Sequence, residues 1–271
     1  MTAIDNSAAL SRGSSAETVA KLSVESFKAP MVVVSMVLFF GTWQFAVWAL
    51  DVQSFILPTP SAIAAQAWVD VSTGFIWPHF TRTFTEVAFG FVISVTVATI
   101  LGTIIALNRA AEILFYPYIL IIQTVPKVAI APLFVIWFGF GIESKVVTAA
   151  MIAFFPMLVN IIAGLKSADE RRLLLMRAYR AGPMKTYLSV RVPSMLPYMF
   201  AGMETGIIFA TLGAIVGEFI GASSGLGALI VQRQAAMDTA GVFSALIFLS
   251  TMGLVLNGAV RTLKARFVYW T

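Results

Sequence analysis

His79 is the only histidine in the 271-residue sequence, and cysteine is absent. These two facts remove much of the chemistry a chain of this size could do. Thiol nucleophiles, disulfides and Cys-based metal sites are excluded, and clustered imidazole ligands need more than one histidine. No His-Glu-x-x-His and no Gly-x-x-x-x-Gly-Lys-Ser/Thr occurs, so neither a zinc-hydrolase helix nor a phosphate loop is encoded. The small-residue run 217–227 is therefore not a nucleotide site. Small residues there allow close helix approach or a tight re-entrant turn. The remaining chemistry-bearing groups lie in apolar surroundings: Lys127 beside Pro126, Glu204, and Glu218. A charge near a bilayer centre costs about 2.5–3.5 kcal/mol on insertion scales, so such groups usually face a partner or a pathway. Two placements fit Lys127. It faces the interior with a partner, with Glu204 or Glu218 as candidates, or it snorkels to an interface from a broken helix.

The elements that carry these groups follow from composition. The chain is 59% hydrophobic and 11% charged, against about 25% charged in soluble domains. Its apolar residues come in runs near the length of about 20 that crosses a hydrocarbon core as a helix. The runs are residues 29–50, 87–107, 113–140, 146–165, about 192–218, and 241–260. The third is interrupted by Pro117, Pro126, Lys127 and Pro132, and interrupted helices often line transport pathways. Continuous Leu/Ile/Val/Phe runs argue for helices over the alternating strands of a barrel. The expected fold class is all-α: a polytopic membrane protein with about six transmembrane helices.

The charge of +5 follows topology and does not point to nucleic acid. With both termini inside, the inner segments hold Arg12, Lys21, Lys28, Arg109, Lys166, Arg171, Arg172, Arg177, Arg180, Lys185, Arg191, Arg261, Lys264 and Arg266. Only Arg82, Lys127, Lys145 and Arg233 lie elsewhere. That asymmetry satisfies the positive-inside rule. Residues 1–28 are polar and mixed in charge, and the apolar run after them is too long for a signal peptide. They are expected to form a cytosolic arm, with a transmembrane domain over 29–271. After the first span, Pro60 and Ser61 are helix-start signals for a surface helix at the outer face. Gly253 and Gly258 in the last span are expected to be packing positions.

Four ordered blocks carry a family resemblance. Residues 123–145 read QTVPKVAIAPLFVIWFGFGIESK, 154–160 FFPMLVN with 164–167 GLKS, 190–202 VRVPSMLPYMFAG, and 216–230 VGEFIGASSGLGALI. Together they resemble the permease subunits of binding-protein-dependent ABC importers, in the nitrate/sulfonate/taurine branch that also includes importers of pyrimidine-like vitamin precursors. The resemblance runs from about Leu57 to Trp270.

It implies the type I ABC importer permease fold and a place in the bacterial inner membrane. It also implies an assembly: a homodimer, two ATP-binding subunits, and a periplasmic or lipid-anchored substrate-binding protein. The chain itself would bind no cofactor and catalyse nothing; ATP and Mg would be used by the partner ATPase. The family's cytosolic loop forms a coupling helix that sits in a groove of the ATPase. The matching loop here is 166–191, with the helix expected around 177–188. Its candidate contacts are Leu174, Arg177, Tyr179, Arg180, Ala181, Gly182, Pro183, Lys185 and Pro193. Ala181 and Pro193 fit the family signature; Leu174, Met176 and Arg180 stand where it usually has Glu, Ala and Gly. Pathway candidates are Gln123, Pro126, Lys127, Glu204 and Glu218. The Gln123–Ala131 block leans toward pyrimidine-like or other small aromatic solutes over simple sulfonates.

Two other classes are weaker. A secondary transporter driven by an ion gradient predicts inverted repeats and ionisable relays in several spans; no convincing internal repeat is visible, and the ionisable residues within spans are few. An intramembrane enzyme would need a nucleophile with a base, or metal ligands.

Overall fold

The structure, a computed structural model, describes residues 30–270; the expected arm at 1–28 lies outside them. Contacts divide the chain into two units between Ala65 and Gln66. Among the described residues every regular element is helical.

In the first unit α1 (Pro30–Ala49) is a single apolar helix. α2 (Pro60–Ser72) follows and crosses the boundary, so that its residues from Gln66 on belong to the second unit. Its start matches the sequence signal: Pro60 occupies the first turn, where its missing N–H is no loss, and Thr59 Oγ1 accepts the N–H of Ala62 at 3.3 Å.

The second unit carries α3 (Ile76–Leu107), α4 (Arg109–Thr124), a 3-10 turn (Lys127–Ile130), α5 (Ala131–Phe138) and α6 (Ile142–Lys166). Then come α7 (Glu170–Ala178), α8 (Pro183–Thr186), a π-turn (Tyr187–Arg191), α9 (Val192–Gly221), α10 (Leu226–Ala235) and α11 (Thr239–Phe267). Counting α8 through α9 as one continuous stretch, five helices are long and apolar enough to cross a membrane. The pair α4 and Lys127–Phe138, bent by 85°, makes a sixth if taken as one broken span.

The bend has a definite cause. Pro126 disfavours helical geometry at the residue before it, and Val125 is extended at φ −67, ψ 130. Pro117 stays inside α4. Pro132 falls in the first turn of α5, where no donor is needed. Of the three prolines in the third apolar run, only Pro126 breaks it.

The core is α6 clasped between α3 and α9. On α3 the buried residues Gly90, Ser94, Ala98 and Gly102 recur every fourth position, one small-residue stripe on one helix face. α9 answers with Gly202, Gly206, Ala210, Gly213 and Gly217. A Cβ placed on Gly213 would stand 2.7 Å from the Cα of Ala149 and 2.9 Å from the carbonyl oxygen of Thr148. The backbones of α6 and α9 are therefore in direct contact, as expected where packing, and not water exclusion, joins helices. Within the described residues of this chain a Cβ on Gly253 or Gly258 would meet no atom within 4 Å, so neither packs against another helix of the same chain.

Candidate functional site

The sequence singled out two regions, and chain direction puts them at identifiable places. α6 ends at Lys166 and the segment leading into α9 begins at Pro183, so the loop between them sits at one end of the clasp. The starts of α3 and α6 and the end of α9 mark the opposite end.

The loop is not the single helix expected around 177–188. α7 begins earlier, capped by Asp169, whose Oδ1 accepts the N–H of Arg171 at 2.8 Å. It stops at Ala178, and Arg180 turns the chain in the left-handed region at φ 52. Gly182 and Pro183 then open α8, which runs through the π-turn into α9. The segment 177–188 thus holds the end of one helix, a reversal and the start of another.

This reversal brings the named residues together. Leu174, Arg177, Tyr179, Arg180, Gly182, Pro183 and Lys185 are all exposed, and Ala181 is half-buried among them. Leu175, Met184 and Leu188 join the exposed apolar set. Pro193 does not; it is half-buried in the first turn of α9. The loop base is fastened to the spans. Arg191 Nη1 donates to the carbonyl of Leu165 at 3.1 Å, and Tyr187 Oη lies 3.2 Å from Thr103 Oγ1. Lys166 pairs with Glu112 of α4.

The pathway candidates fall in three places. Gln123, Pro126 and Lys127 meet at the bend: Lys127 Nζ donates to the Gln123 carbonyl at 2.9 Å and stands 4.9 Å from the ring centre of Phe155. Among the described residues Lys127 has no carboxylate partner. Glu204 pairs with Lys264 at 2.9 Å and Arg261 at 3.4 Å, joining α9 to α11. Glu218 is buried and accepts from Thr83 Oγ1 at 2.6 Å and from the Gly227 N–H at 2.5 Å. The pairing weighed for Lys127 with Glu204 or Glu218 does not occur.

Sequence reasoning missed the polar groups at the opposite end. Glu86, with its neighbour Arg82, was left outside the second span because that span was begun at Val87; α3 starts eleven residues earlier, at Ile76. Lys145 was counted as loop and is fully buried in the first turns of α6. Asp70 and Arg233 form a buried pair between α2 and α10. Burial alone would raise the Asp70 carboxyl, but hydrogen bonds from Arg233, Ser244 and Gln66 outweigh it and hold the group below the usual carboxylate range. A visible signal existed: Arg82 and Glu86 are four apart, the spacing of a helical ion pair.

The comparisons agree with this architecture. The family described as binding-protein-dependent transport system inner membrane component matches residues 95–269. The riboflavin transport system permease protein RibX of Chloroflexus aurantiacus is 36% identical over 88% of this chain and 88% of its own length. The formylaminopyrimidine transport permease protein ThiX of Halalkalibacterium halodurans is 32% identical over 80% of this chain and 87% of its own. A probable ABC transporter permease protein of Haemophilus influenzae is 30% identical over 89% and 96%. Among solved structures, an inward-facing form of the MetNI methionine ABC transporter aligns with a TM-score of 0.57 at 20% identity, covering 71% of this chain and 94% of that one. That likeness bears on the fold alone. A helix set broken at Pro126, a fastened loop between α6 and α9, and a family match over most of the chain lead to one conclusion: the chain belongs to the inner membrane components of binding-protein-dependent ABC importers, in the nitrate/sulfonate/taurine branch, with the type I permease fold.

Proposed function

We propose that this permease lines, as a homodimer, the translocation pathway for a small organic or anionic nutrient, and moves it by alternating access. Two separate ATPase subunits would dock on the loop between α6 and α9, and a substrate-binding protein, periplasmic or lipid-anchored, would deliver the solute at the opposite face. ATP and Mg would be consumed by the partners, with no cofactor on this chain. The positive-inside rule supports a cytosolic loop and cytosolic termini in the bacterial inner membrane. Relatives are named for riboflavin, formylaminopyrimidine, aliphatic sulfonates and taurine. The higher identity to the first two favours a planar nitrogen heterocycle here.

The observation that carries this reading is the composition of the loop surface. Leu174, Leu175, Tyr179, Met184 and Leu188 are each more than half exposed, on a segment that also carries Arg171, Arg172, Arg177, Arg180 and Lys185. Such a dense basic set belongs in water, so the apolar side chains beside it face no lipid. An apolar patch rimmed by charge marks a protein contact.

The test is affinity purification of the chain in mild detergent, with mass spectrometry of what accompanies it. A stoichiometric subunit carrying a phosphate-loop motif, with vanadate-sensitive ATPase activity, is the expected result. A chain that purifies alone and moves solute on an ion gradient would replace this reading with that of a secondary transporter.

A further inference from the structure

The end of the clasp opposite the basic loop buries an ionic cluster that neither packing nor the coupling surface accounts for. Glu86 of α3, Lys145 of α6 and Glu218 of α9 are each at most 1% exposed. Arg82, Thr83 and Glu143 complete the polar and charged groups around them. Ionisable groups at such depth in a membrane protein mark function by default.

The members differ in how they are used. Glu218 is occupied: it holds the turn at 225–227 through the Gly227 N–H, and Thr83 ties the same turn to α3 by accepting the Leu226 N–H at 2.7 Å. Lys145 makes no ion pair with either carboxylate among the described residues. Its Nζ donates to the carbonyl of Phe140 at 2.8 Å and, at 3.5 Å, to that of Gly221. Those carbonyls lie in the α5–α6 loop and at the end of α9, so one ammonium tethers both loops. Glu86 is half used. Its Oε1 accepts from Arg82 Nε at 3.0 Å, while Oε2 is buried, has no nitrogen or hydroxyl donor among the described residues, and leaves the carboxyl to share a hydrogen bond with that of Glu218. That carboxyl lies against Glu218 and within the field of Lys145. A buried carboxylate oxygen without a donor needs an explanation, and two carboxylates facing each other need a cation or a proton to offset them.

We propose that Glu86 Oε2 is the alternate seat of the Lys145 ammonium. In the conformation described, Lys145 holds the carbonyls of Phe140 and Gly221 and the two loops are tethered. In the other, the ammonium turns to Glu86, both carbonyls are released to water, and the loops part. The exchange brings no new ion into the core: as the ammonium arrives at Glu86, the proton that Glu86 shares with Glu218 leaves to water, and it returns when the ammonium goes back. It gives an alternating-access permease a discrete two-state element at this end, and it rests on that reading of the chain.

The absence of cysteine makes the test direct. Ser223, exposed in the turn after α9, is replaced by Cys as the sole thiol. Its reaction rate with a charged maleimide is measured in the purified importer, before and after trapping with ATP and vanadate. The parent should change rate about tenfold between the two conditions, the signature of a shifted two-state equilibrium. Lys145→Met cannot tether and should react fast in both. Glu86→Gln removes the negative charge that would hold the ammonium and should react slowly in both. Lys145→Arg, which keeps the charge, should restore a nucleotide-dependent rate. Two outcomes overturn the exchange: Glu86→Gln switching like the parent, or both variants shifting the same way, as simple loss of packing or a shared proton would produce. Failure of any ATPase to co-purify overturns the permease reading and the exchange together. An ATPase that co-purifies beside a non-switching parent overturns the exchange alone.

Discussion

Arg233 of α10 grips Asp70 of α2 through two parallel hydrogen bonds, Nη1 to Oδ2 at 2.8 Å and Nη2 to Oδ1 at 2.5 Å. Ser244 Oγ of α11 donates to the same carboxylate at 2.5 Å. α2 is thereby pinned to α10 and α11 by contacts 163 and 174 residues apart in sequence. Removing one partner of a buried pair costs about 3–5 kcal/mol when the other charge is left unpaired; Arg233 keeps Asp238 at 3.7 Å and the Gly241 carbonyl at 2.8 Å, which puts the loss of Asp70 at the lower end of that range. Asp70→Asn should lower the thermal midpoint in detergent strongly. The pH dependence has a fixed sign. The Asp70 carboxyl sits below its ordinary value, so its contribution is complete above the unfolded value of about 3.9 and is lost as pH falls through the lower folded value. Melting curves should be insensitive to this site near neutrality and show an acid limb that Asp70→Asn lacks.

Two glycines of α9 separate backbone contact from side-chain contact. A Cβ on Gly213 would strike the α6 backbone, whereas a Cβ on Gly206 would meet Met157 Cγ and Sδ at 2.9 Å. A methionine can move aside; a helix backbone cannot without parting the pair. Gly213→Ala should cost about 1–3 kcal/mol, the usual range for overpacking, and Gly206→Ala clearly less. Equal losses in thermal unfolding would mean that α6 and α9 are not in backbone contact.

Arg180 occupies the left-handed region at φ 52, at the position where the family signature usually has glycine. Gly there relieves the Cβ penalty, while a β-branched residue adds to it. Arg180→Gly should leave expression and thermal stability unchanged or improved. Arg180→Val should destabilise by about 1–2 kcal/mol. The reverse order would remove the turn from the account of this loop.

Glu204 can be tested for pathway against structure. Its partners Lys264 and Arg261 are partly exposed, so the pairing is worth at most about 1 kcal/mol. If the role is structural, Glu204→Lys with Lys264→Glu should recover the midpoint and the transport rate lost in either single variant. If Glu204 lines the pathway, the swap restores stability and leaves transport impaired.

The fold was legible because its strongest signal is length. Long apolar runs found α1, the broken pair, α6, α9 and α11, two of them with a charge inside, Lys127 and Glu204, and Pro126 marked its own bend. The same rule hid the buried ionic cluster. Ending a span at the first charge cuts α3 at Val87 and α6 at Val146, and so discards Glu86 and Lys145, whose helical neighbours bury them. Glu86, Gly90, Ser94, Ala98 and Gly102 lie on one face at four-residue spacing; read as one stripe, they would have carried α3 past its charges. The basic loop between α6 and α9 was located by charge, but the single helix expected around 177–188 does not form, because Gly182-Pro183 starts a helix and does not continue one.

That corrected helix gives the sharpest prediction about partners. α7 presents Leu174 and Leu175, each 55% exposed, and the turn presents Tyr179 at 76%. None of the three supports the bundle, so polar substitutions there should leave the thermal midpoint within about 0.5 kcal/mol of the parent. A buried aromatic or aliphatic anchor in an interface costs about 2 kcal/mol or more when truncated. Tyr179→Ala and the pair Leu174→Ser with Leu175→Ser should therefore weaken ATPase association at least about thirtyfold. Lys185→Ala, a rim charge, should change mainly its salt dependence. Binding is read by titrating the co-purifying ATPase subunit against the detergent-solubilised chain, with melting curves taken on the same samples. A subunit that binds all of these variants as tightly as the parent would place its contact elsewhere on the basic end, with the exposed stretch of α8 and the π-turn around Met184 and Leu188 as the next surface to probe.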